Sequence, residues 1–133
     1  MSEEIMKFGV HMLFDGYNAD PKLLADKEYL LAFLKELPTK MGMHTIYDEV
    51  VVEVGELNEK DPGGITCFVL IAESHISFHT FPKRGFVSAD IYTCQDELDS
   101  ETLKKELSQA FGTTDFDCQV IDRGVRYPAK NIH

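Results

Sequence analysis

Two stretches of the chain repeat apolar residues at the spacing of one helix face. The first follows Asp20-Pro21, where an aspartate cap and a proline at the first helical position are typical of a helix start, and Pro38 is expected to limit it. The second follows a cap at Asp99 or Ser100 and ends at Gly112. The two apolar stripes consist of Leu23, Leu30, Leu34 and Leu37, and of Leu103, Leu107, Ala110 and Phe111.

Apolar and β-branched runs between these stripes predict strands. Residues 65–72 are almost continuously apolar, which indicates a strand buried on both faces, and residues 15–18 have the composition of a turn. The order of strands and helices predicts an α+β fold, a two-layer α/β sandwich with helices on one face of an antiparallel sheet. Residues 1–133 are expected to form one domain. The other predicted strands are residues 6–14, 45–54, 86–93 and 116–122.

Charge and cysteine content narrow the function classes. The formal net charge is -10, with 13 Lys+Arg against 23 Asp+Glu, which disfavours nucleic-acid and anionic-membrane partners and favours a cationic small molecule. No apolar run approaches the roughly 20 residues that span a bilayer, and the acidic start does not match a secretory signal. Three cysteines without a C-x-x-C pair predict a cytoplasmic protein, with Cys67 and Cys118 as packing residues.

The central segment, residues 72–82 (AESHISFHTFP), concentrates the reactive side chains. If residues 82–85 form a four-residue turn, this segment and residues 86–93 pair as a hairpin. That pairing brings Ser74 next to Cys94, although the two are far apart in sequence. The predicted cross-strand pairs are Phe81–Phe86, His79–Ser88 and Ser74–Thr93.

The histidines of this segment can be interpreted in several ways. Ser74 and His79 differ by an odd number of positions, so a regular strand would point them to opposite faces unless the backbone bends. A distorted backbone at Ser74 is also what a self-cleaving bond requires. On a strand, His75 and His79 would lie about 13 Å apart, too far to share a metal, so we expect no metal site and a structural role for His75. Pattern alone predicts only a polar hairpin with a candidate Ser/His/Cys site.

Residues 72–82, together with Gly85 and residues 90–94, closely resemble the prokaryotic S-adenosylmethionine decarboxylases, which are pyruvoyl enzymes of polyamine synthesis. Residues 9–11, 63–66 and 122–124 add to the likeness. The resemblance implies an α/β sandwich that works as a cytoplasmic homodimer of cleaved protomers. It also implies a small cationic substrate and covalently bound pyruvate as the cofactor.

The resemblance assigns roles to individual residues of this chain. Ser74 would attack the carbonyl of Glu73 and split the chain into a β chain, residues 1–73, and an α chain, residues 74–133. Ser74 would then become the pyruvoyl group that forms a Schiff base with substrate. His79 matches the residue that removes the Ser74 α-proton during processing, Cys94 matches the acid that reprotonates the product carbon, and Thr66 matches a hydroxyl that supports processing.

Two departures from the family keep the substrate open. Lys83 stands where the family usually has a glutamate that holds the ribose, and residues 57–61 lack the aromatic that stacks adenine. Phe14 and Phe81 are the rings that could still stack a base. Asp15 or Glu59 could instead hold a distal cationic group.

Three functions follow from this resemblance. The first is S-adenosylmethionine decarboxylase, whose product is the aminopropyl donor for spermidine. The second is a pyruvoyl-dependent L-ornithine or L-arginine decarboxylase on the same fold. The third is a non-catalytic paralogue that activates an enzyme, which the intact set of Ser74, His79 and Cys94 disfavours.

Overall fold

The computed structural model describes residues 4–133 and contains one large antiparallel sheet and one small one. The large sheet has six strands in the order β3-β4-β5-β6-β2-β7, and β1 pairs with β8 in a separate ribbon. A short 3-10 turn, Pro82–Arg84, joins β5 to β6. The elements in chain order are β1 Ile5–Met6, β2 Gly9–Tyr17, α1 Pro21–Leu24, α2 Lys27–Lys40, β3 Val50–Val54, β4 Gly64–Ile71, β5 Ser74–Phe81, β6 Phe86–Thr93, α3 Ser100–Phe111, β7 Asp115–Arg123 and β8 Tyr127–Pro128.

The helices cover one face of the large sheet, so the predicted α+β sandwich is confirmed. Alternate residues of each central strand are buried against the helices, and the intervening residues form a face that we call the open face. The core consists of these inward strand residues and the apolar stripes of α2 and α3, including Met12, Phe14, Leu30, Leu34, Leu37, Ile76, Phe78, Ile91, Leu107 and Phe111.

The helix starts were predicted correctly, but the first helix is divided. Asp20 caps α1 by accepting from the Lys22 amide, and a second aspartate, Asp26, starts α2 by accepting from the Tyr29 amide. The predicted limit at Pro38 is wrong, because this proline lies inside the last turn of α2 and the helix continues to Lys40. Pro38 therefore removes one backbone donor from the last turn without ending the helix there.

Three predictions about the strands need correction. The predicted turn at residues 15–18 is wrong over Asp15–Tyr17, because β2 lies between β6 and β7 and pairs with both, which extends the strand. The strand predicted at 45–54 begins only at Val50, with Thr45 making an isolated bridge to Ile71. The run at 65–72 is buried on one face rather than two: Leu70, on the open face, is 42% exposed. The second helix follows the prediction, with Asp99 as its cap and Gly112 in the left-handed region.

Candidate active site

The turn between β4 and β5 contains the peptide bond predicted to break. Ile71 pairs with Ser74, so Ala72 and Glu73 alone make the reversal. Glu73 has a φ of +56°, in the left-handed region that residues with a side chain rarely adopt. The left-handed residue is Glu73 rather than Ser74, on the carbonyl side of the Glu73–Ser74 bond, and the bend expected between Ser74 and His79 is absent.

Ser74 is buried at the first position of β5 and is held by its neighbour across the hairpin. Its side chain is among the buried polar groups, with the residue only 6% exposed, and its Oγ accepts a hydrogen bond from the Cys94 amide at 3.1 Å. The predicted register is confirmed where the two strands pair, with Phe81 opposite Phe86 and His79 opposite Ser88. This pairing brings Ser74 and Cys94 into contact, as the sequence predicted.

His79 lies on the other face of β5. Each residue from 74 to 80 pairs in order with a residue of β4, so the strand is regular between Ser74 and His79. Ser74 therefore faces the helices while His79 is exposed on the open face, where its Nδ1 lies 3.1 Å from Thr66 Oγ1. The structure brings Ser74 next to Cys94, as predicted, and it also places His79 beside Thr66, but it does not join these two pairs to each other within one protomer.

A cluster that sequence reasoning missed occupies the centre of the open face. Asp90 Oδ1 lies 3.3 Å from His11 Nε2 and 3.2 Å from His75 Nε2, and Ser77 Oγ donates to Asp90 Oδ2 at 3.1 Å. These residues come from three neighbouring strands, so no local motif marks them. Alternate residues of a strand lie on the same face, so this alternation could have predicted the cluster, but only if β2 were known to lie beside β6.

The ligand atoms of His11, His75 and Asp90 lie within 4.8 Å of one another, the spacing of a metal site. The sequence argument against a metal considered His75 and His79 and did not address this trio. Arg123 Nη1 lies 2.8 Å from His11 Nδ1, and because a guanidinium only donates, Nδ1 must accept. The proton of the neutral ring then resides on Nε2, which removes the lone pair a metal needs there. His11 Nε2 and Asp90 Oδ1 are both buried and make no hydrogen bond among the described residues, so the trio is a close contact of polar groups, and this tautomer argues against a metal ion on His11 Nε2.

The proposed stacking role of Phe14 is wrong. The residue is 1% exposed, and its ring stacks on Phe116 with centroids 4.8 Å apart beneath the helices. β2 alternates its side chains, so Phe14 points into the core whereas Asp15 lies on the open face opposite Ser88. Asp15 thus remains on the accessible side of the sheet.

Phe81 lines a cavity of about 480 Å³ at the far end of the hairpin. Its ring lies 5.9 Å from that of Phe86, and Arg84 Nη2 donates to the Glu59 carbonyl at 2.6 Å, which ties the loop of residues 57–61 to the hairpin turn. Lys83 lies at a different cleft, beside Glu53 and Glu56. The cavity is lined by Asn58, Lys60, Asp61, Phe81, Arg84 and Phe86.

The three cysteines are free thiols in different settings. Cys67 is fully buried, and this burial raises its pKa to about 12, so it is an inert packing residue as predicted. Burial also raises the pKa of the half-buried Cys118, on β7. Cys94, also half-buried, is the thiol whose backbone contacts Ser74.

Comparison with known proteins identifies the family. The sequence model of the S-adenosylmethionine decarboxylase family matches residues 10–124. The chain belongs to the S-adenosylmethionine decarboxylase family.

Individual relatives of this family support the assignment. An S-adenosylmethionine decarboxylase proenzyme of Pyrobaculum islandicum is 40% identical over 91 residues, which is 68% of each chain. The proenzyme of Archaeoglobus fulgidus is 32% identical over 120 residues, covering 90% of this chain and all of that one. The crystal structure of the adenosylmethionine decarboxylase from Aquifex aeolicus superposes with a TM-score of 0.76 at 26% identity, over 95% of this chain and 98% of that one. Within residues 4–133, none of the helices has the length and apolar character that crossing a membrane requires.

Proposed function

We propose that this chain is a self-processing, pyruvoyl-dependent decarboxylase that acts on S-adenosylmethionine in the cytoplasm. One observation carries the processing part: the hydroxyl of Ser74 is held beside a left-handed Glu73, at the bond whose rupture would create the cofactor. Membership of a family of decarboxylases whose relatives are named proenzymes supports the same reading.

Processing would begin with attack of Ser74 Oγ on the Glu73 carbonyl carbon. A C–O bond forms, the C–N bond breaks, and the hydroxyl proton passes to the released amine, so that the peptide becomes an ester. Removal of the Ser74 α-proton by His79 then expels the Glu73 carboxylate and leaves a dehydroalanine. Its hydrolysis releases ammonia and gives the pyruvoyl group at the start of an α chain of residues 74–133.

The pyruvoyl carbonyl would supply the electron sink that decarboxylation needs and that ordinary side chains lack. The chain's own residues would bind the substrate, shield it from water and protonate the product carbon. Cys94 follows β6 at the same end of the hairpin as Ser74, and its half-buried thiol is our proposed proton donor to the product carbon.

The cavity beside Phe81 is the proposed substrate site for the pyruvoyl group of a partner protomer, because Phe81 lies roughly 23 Å along β5 from Ser74 of its own chain. The rings of Phe81 and Phe86 offer apolar surface for a base, and the charged side chains that line the cavity are Asp61, Lys60 and Arg84. The formal net charge of -10 gives the protein surface a negative potential, which attracts a cationic substrate.

The missing nucleoside contacts favour a second candidate, decarboxylation of L-ornithine or L-arginine. Residues 57–61 contain no aromatic ring, and Lys83 lies at another cleft, so neither supplies a nucleoside contact at this cavity. Asp61 in the cavity and Asp15 on the open face could pair with a distal ammonium or guanidinium. Release of labelled CO₂ from S-adenosylmethionine, ornithine and arginine in parallel distinguishes the two candidates.

The open face supports a homodimer. Its rims expose apolar side chains, and two sheets that face each other can bury such surfaces in a layer about 10 Å thick. His79 also lies on this face, so a second copy that covers the open face would enclose His79 in the interface. The exposed apolar residues of the open face, each 42–47% exposed, are Val50, Val52, Val54, Leu70 and Ile121.

Co-expression tests both the dimer and the origin of the processing base. A Ser74→Ala chain keeps His79, and a His79→Ala chain keeps Ser74. If the base comes from the partner, the His79→Ala chain is cleaved only when the Ser74→Ala chain is present. Denaturing mass spectrometry reads the result, and an uncleaved mixture that still dimerises would contradict a base supplied by the partner.

A further inference from the structure

The short segment at the end of β6, residues 93–95, determines where the Ser74 hydroxyl lies. The Cys94 amide donates to Ser74 Oγ at 3.1 Å, and Ser74 is buried, so water does not compete well for this contact. By accepting this bond, the oxygen keeps its own proton free to leave. Small shifts of the Cys94 amide would therefore move the nucleophile relative to the Glu73 carbonyl.

Gln95 ties this segment to the end of α2. Its Nε2 donates to the carbonyl of Met41 at 3.1 Å, and Met41 is the C-cap of the helix, where carbonyl groups lack partners within the helix. The backbone N–H of Gln95 donates to Thr93 Oγ1 at 3.1 Å, and the Thr93 hydroxyl lies 3.6 Å from Met43 Sδ. The segment is thus attached to residues 41–43 through side chains on both sides of Cys94.

The opposite side of the segment is closed by Gly9. A Cβ at this position would lie 2.2 Å from the Thr93 carbonyl oxygen and 3.1 Å from Cys94 Cα, so only glycine allows β2 to approach this closely. Packing by Gly9 restrains the segment from one side, and the Gln95 side chain holds it from the other.

We propose that Gln95 is a positioning residue for self-cleavage: through Met41 it fixes the Cys94 amide and so aligns Ser74 Oγ for attack on the Glu73 carbonyl. The inference rests on the proposed function, since it concerns the first step of that processing. In this step the Ser74 Oγ–C bond forms, the Glu73–Ser74 C–N bond breaks and the hydroxyl proton moves to the nitrogen. Gln95 takes no part in these transfers, and it acts only on the geometry from which they start.

The test follows cleavage of newly made chains in cell-free synthesis. Gln95→Ala and Gln95→Glu both remove the donor to Met41, and we expect each to slow cleavage about tenfold, the effect of losing one well-placed hydrogen bond. Gln95→Lys restores a donor on a flexible stem and should cleave within about threefold of the parent rate. Gln109→Ala, which truncates an exposed glutamine on α3, is the matched control and should leave the rate unchanged.

Hydroxylamine separates positioning from a later role. It cleaves esters, so it should release fragments from a His79→Ala chain that stops after the acyl shift. It should not restore the rate of Gln95→Ala or Gln95→Glu, because these chains are slow before the ester forms. Thermal unfolding of each variant in the uncleavable Ser74→Ala background shows whether the fold is retained.

Cleavage of Gln95→Ala and Gln95→Glu at the parent rate would overturn the inference and leave the proposed function intact. Full rescue of these variants by hydroxylamine would also overturn it, since Gln95 would then act after the acyl shift. If the parent chain itself stays intact in active material, the proposed function fails and the inference fails with it.

Discussion

Each turn at an end of β5 contains one residue in the left-handed region, but the residue differs between the two turns. At the Phe81 end, Gly85 has a φ of +59°, and at the Ser74 end, Glu73 has a φ of +56°. For a residue with a side chain this conformation costs about 1–2 kcal/mol, whereas glycine adopts it freely. The hairpin is therefore relaxed where it forms the proposed substrate cavity and strained at the bond proposed to break.

Strain at Glu73 can favour cleavage of the Glu73–Ser74 bond. Energy stored at Glu73 raises the free energy of the intact peptide, and a change that breaks the Glu73–Ser74 bond can release it. About 1.4 kcal/mol corresponds to a factor of ten in rate if it is fully released in the transition state. Strain alone cannot cleave a peptide, but it adds to the effect of a positioned nucleophile.

The largest expected effect comes from removing that nucleophile. Ser74→Ala should remain a single chain with no decarboxylase activity, because no hydroxyl can attack Glu73 and no pyruvoyl group can form. Denaturing mass spectrometry and CO₂ release measure both outcomes. Fragments ending at Glu73 in this variant would show that the chain is cut by another agent.

The Cys94→Ala variant also changes the Ser74 end of β5, and it tests a later step, protonation of the product carbon. We expect cleavage to be slow at best and turnover to be lost, since the thiol is the proposed proton donor. Cys118→Ala is the matched control, because it removes another half-buried thiol, on β7, and should leave turnover unchanged. Normal turnover of Cys94→Ala, once it is cleaved, would remove Cys94 from its role.

At the other end of the hairpin, Phe81→Ala should leave self-cleavage intact and weaken substrate binding. Loss of a stacked ring costs about 1–3 kcal/mol for a nucleobase, so we expect KM for S-adenosylmethionine to rise by roughly 5- to 150-fold. Phe81→Tyr keeps the ring and should retain a KM near that of the parent. An unchanged KM in Phe81→Ala would place the substrate elsewhere and separate the two ends of β5 in function.

Local chemistry explains what could be predicted from the sequence. Asp20, Asp99 and Gly112 are capping residues whose effect depends on their immediate neighbours, and the structure places them as predicted. The register of β5 against β6 also followed from one turn, because a hairpin of known turn length leaves no freedom in pairing.

What the sequence did not reveal depends on contacts distant along the chain. Phe14 is a core residue and Asp15 a surface one because β2 lies between β6 and β7, an arrangement that its own residues do not specify. The cluster of His11, His75 and Asp90 requires the same strand order. The strain at Glu73 was anticipated only as a need of the chemistry, since its local sequence contains no glycine or asparagine that would mark a left-handed turn.

The smallest effects should come from exchanging the residues of the two turns. Glu73→Gly removes strain of about 1–2 kcal/mol but adds about 0.5–1 kcal/mol of backbone entropy cost on folding, so the intact chain should gain roughly 0.5–1 kcal/mol in stability. Gly85→Ala should change stability by a similar amount in the opposite direction, with a further contribution from the Ala19 carbonyl, 3.3 Å from the new Cβ. Urea unfolding of both variants in the Ser74→Ala background measures these differences.

The same exchange separates strain from side-chain chemistry at the bond itself. Glu73→Gly should slow cleavage several-fold, because less strain is released when the bond breaks. The slowing should not exceed the tenfold that corresponds to about 1.4 kcal/mol. Glu73→Ala removes the carboxylate but keeps the strained φ, so it should cleave close to the parent rate, and Gly85→Ala should as well. Equal slowing of Glu73→Gly and Glu73→Ala would instead assign the effect to the carboxylate, and the two turns would then differ in chemistry rather than in strain.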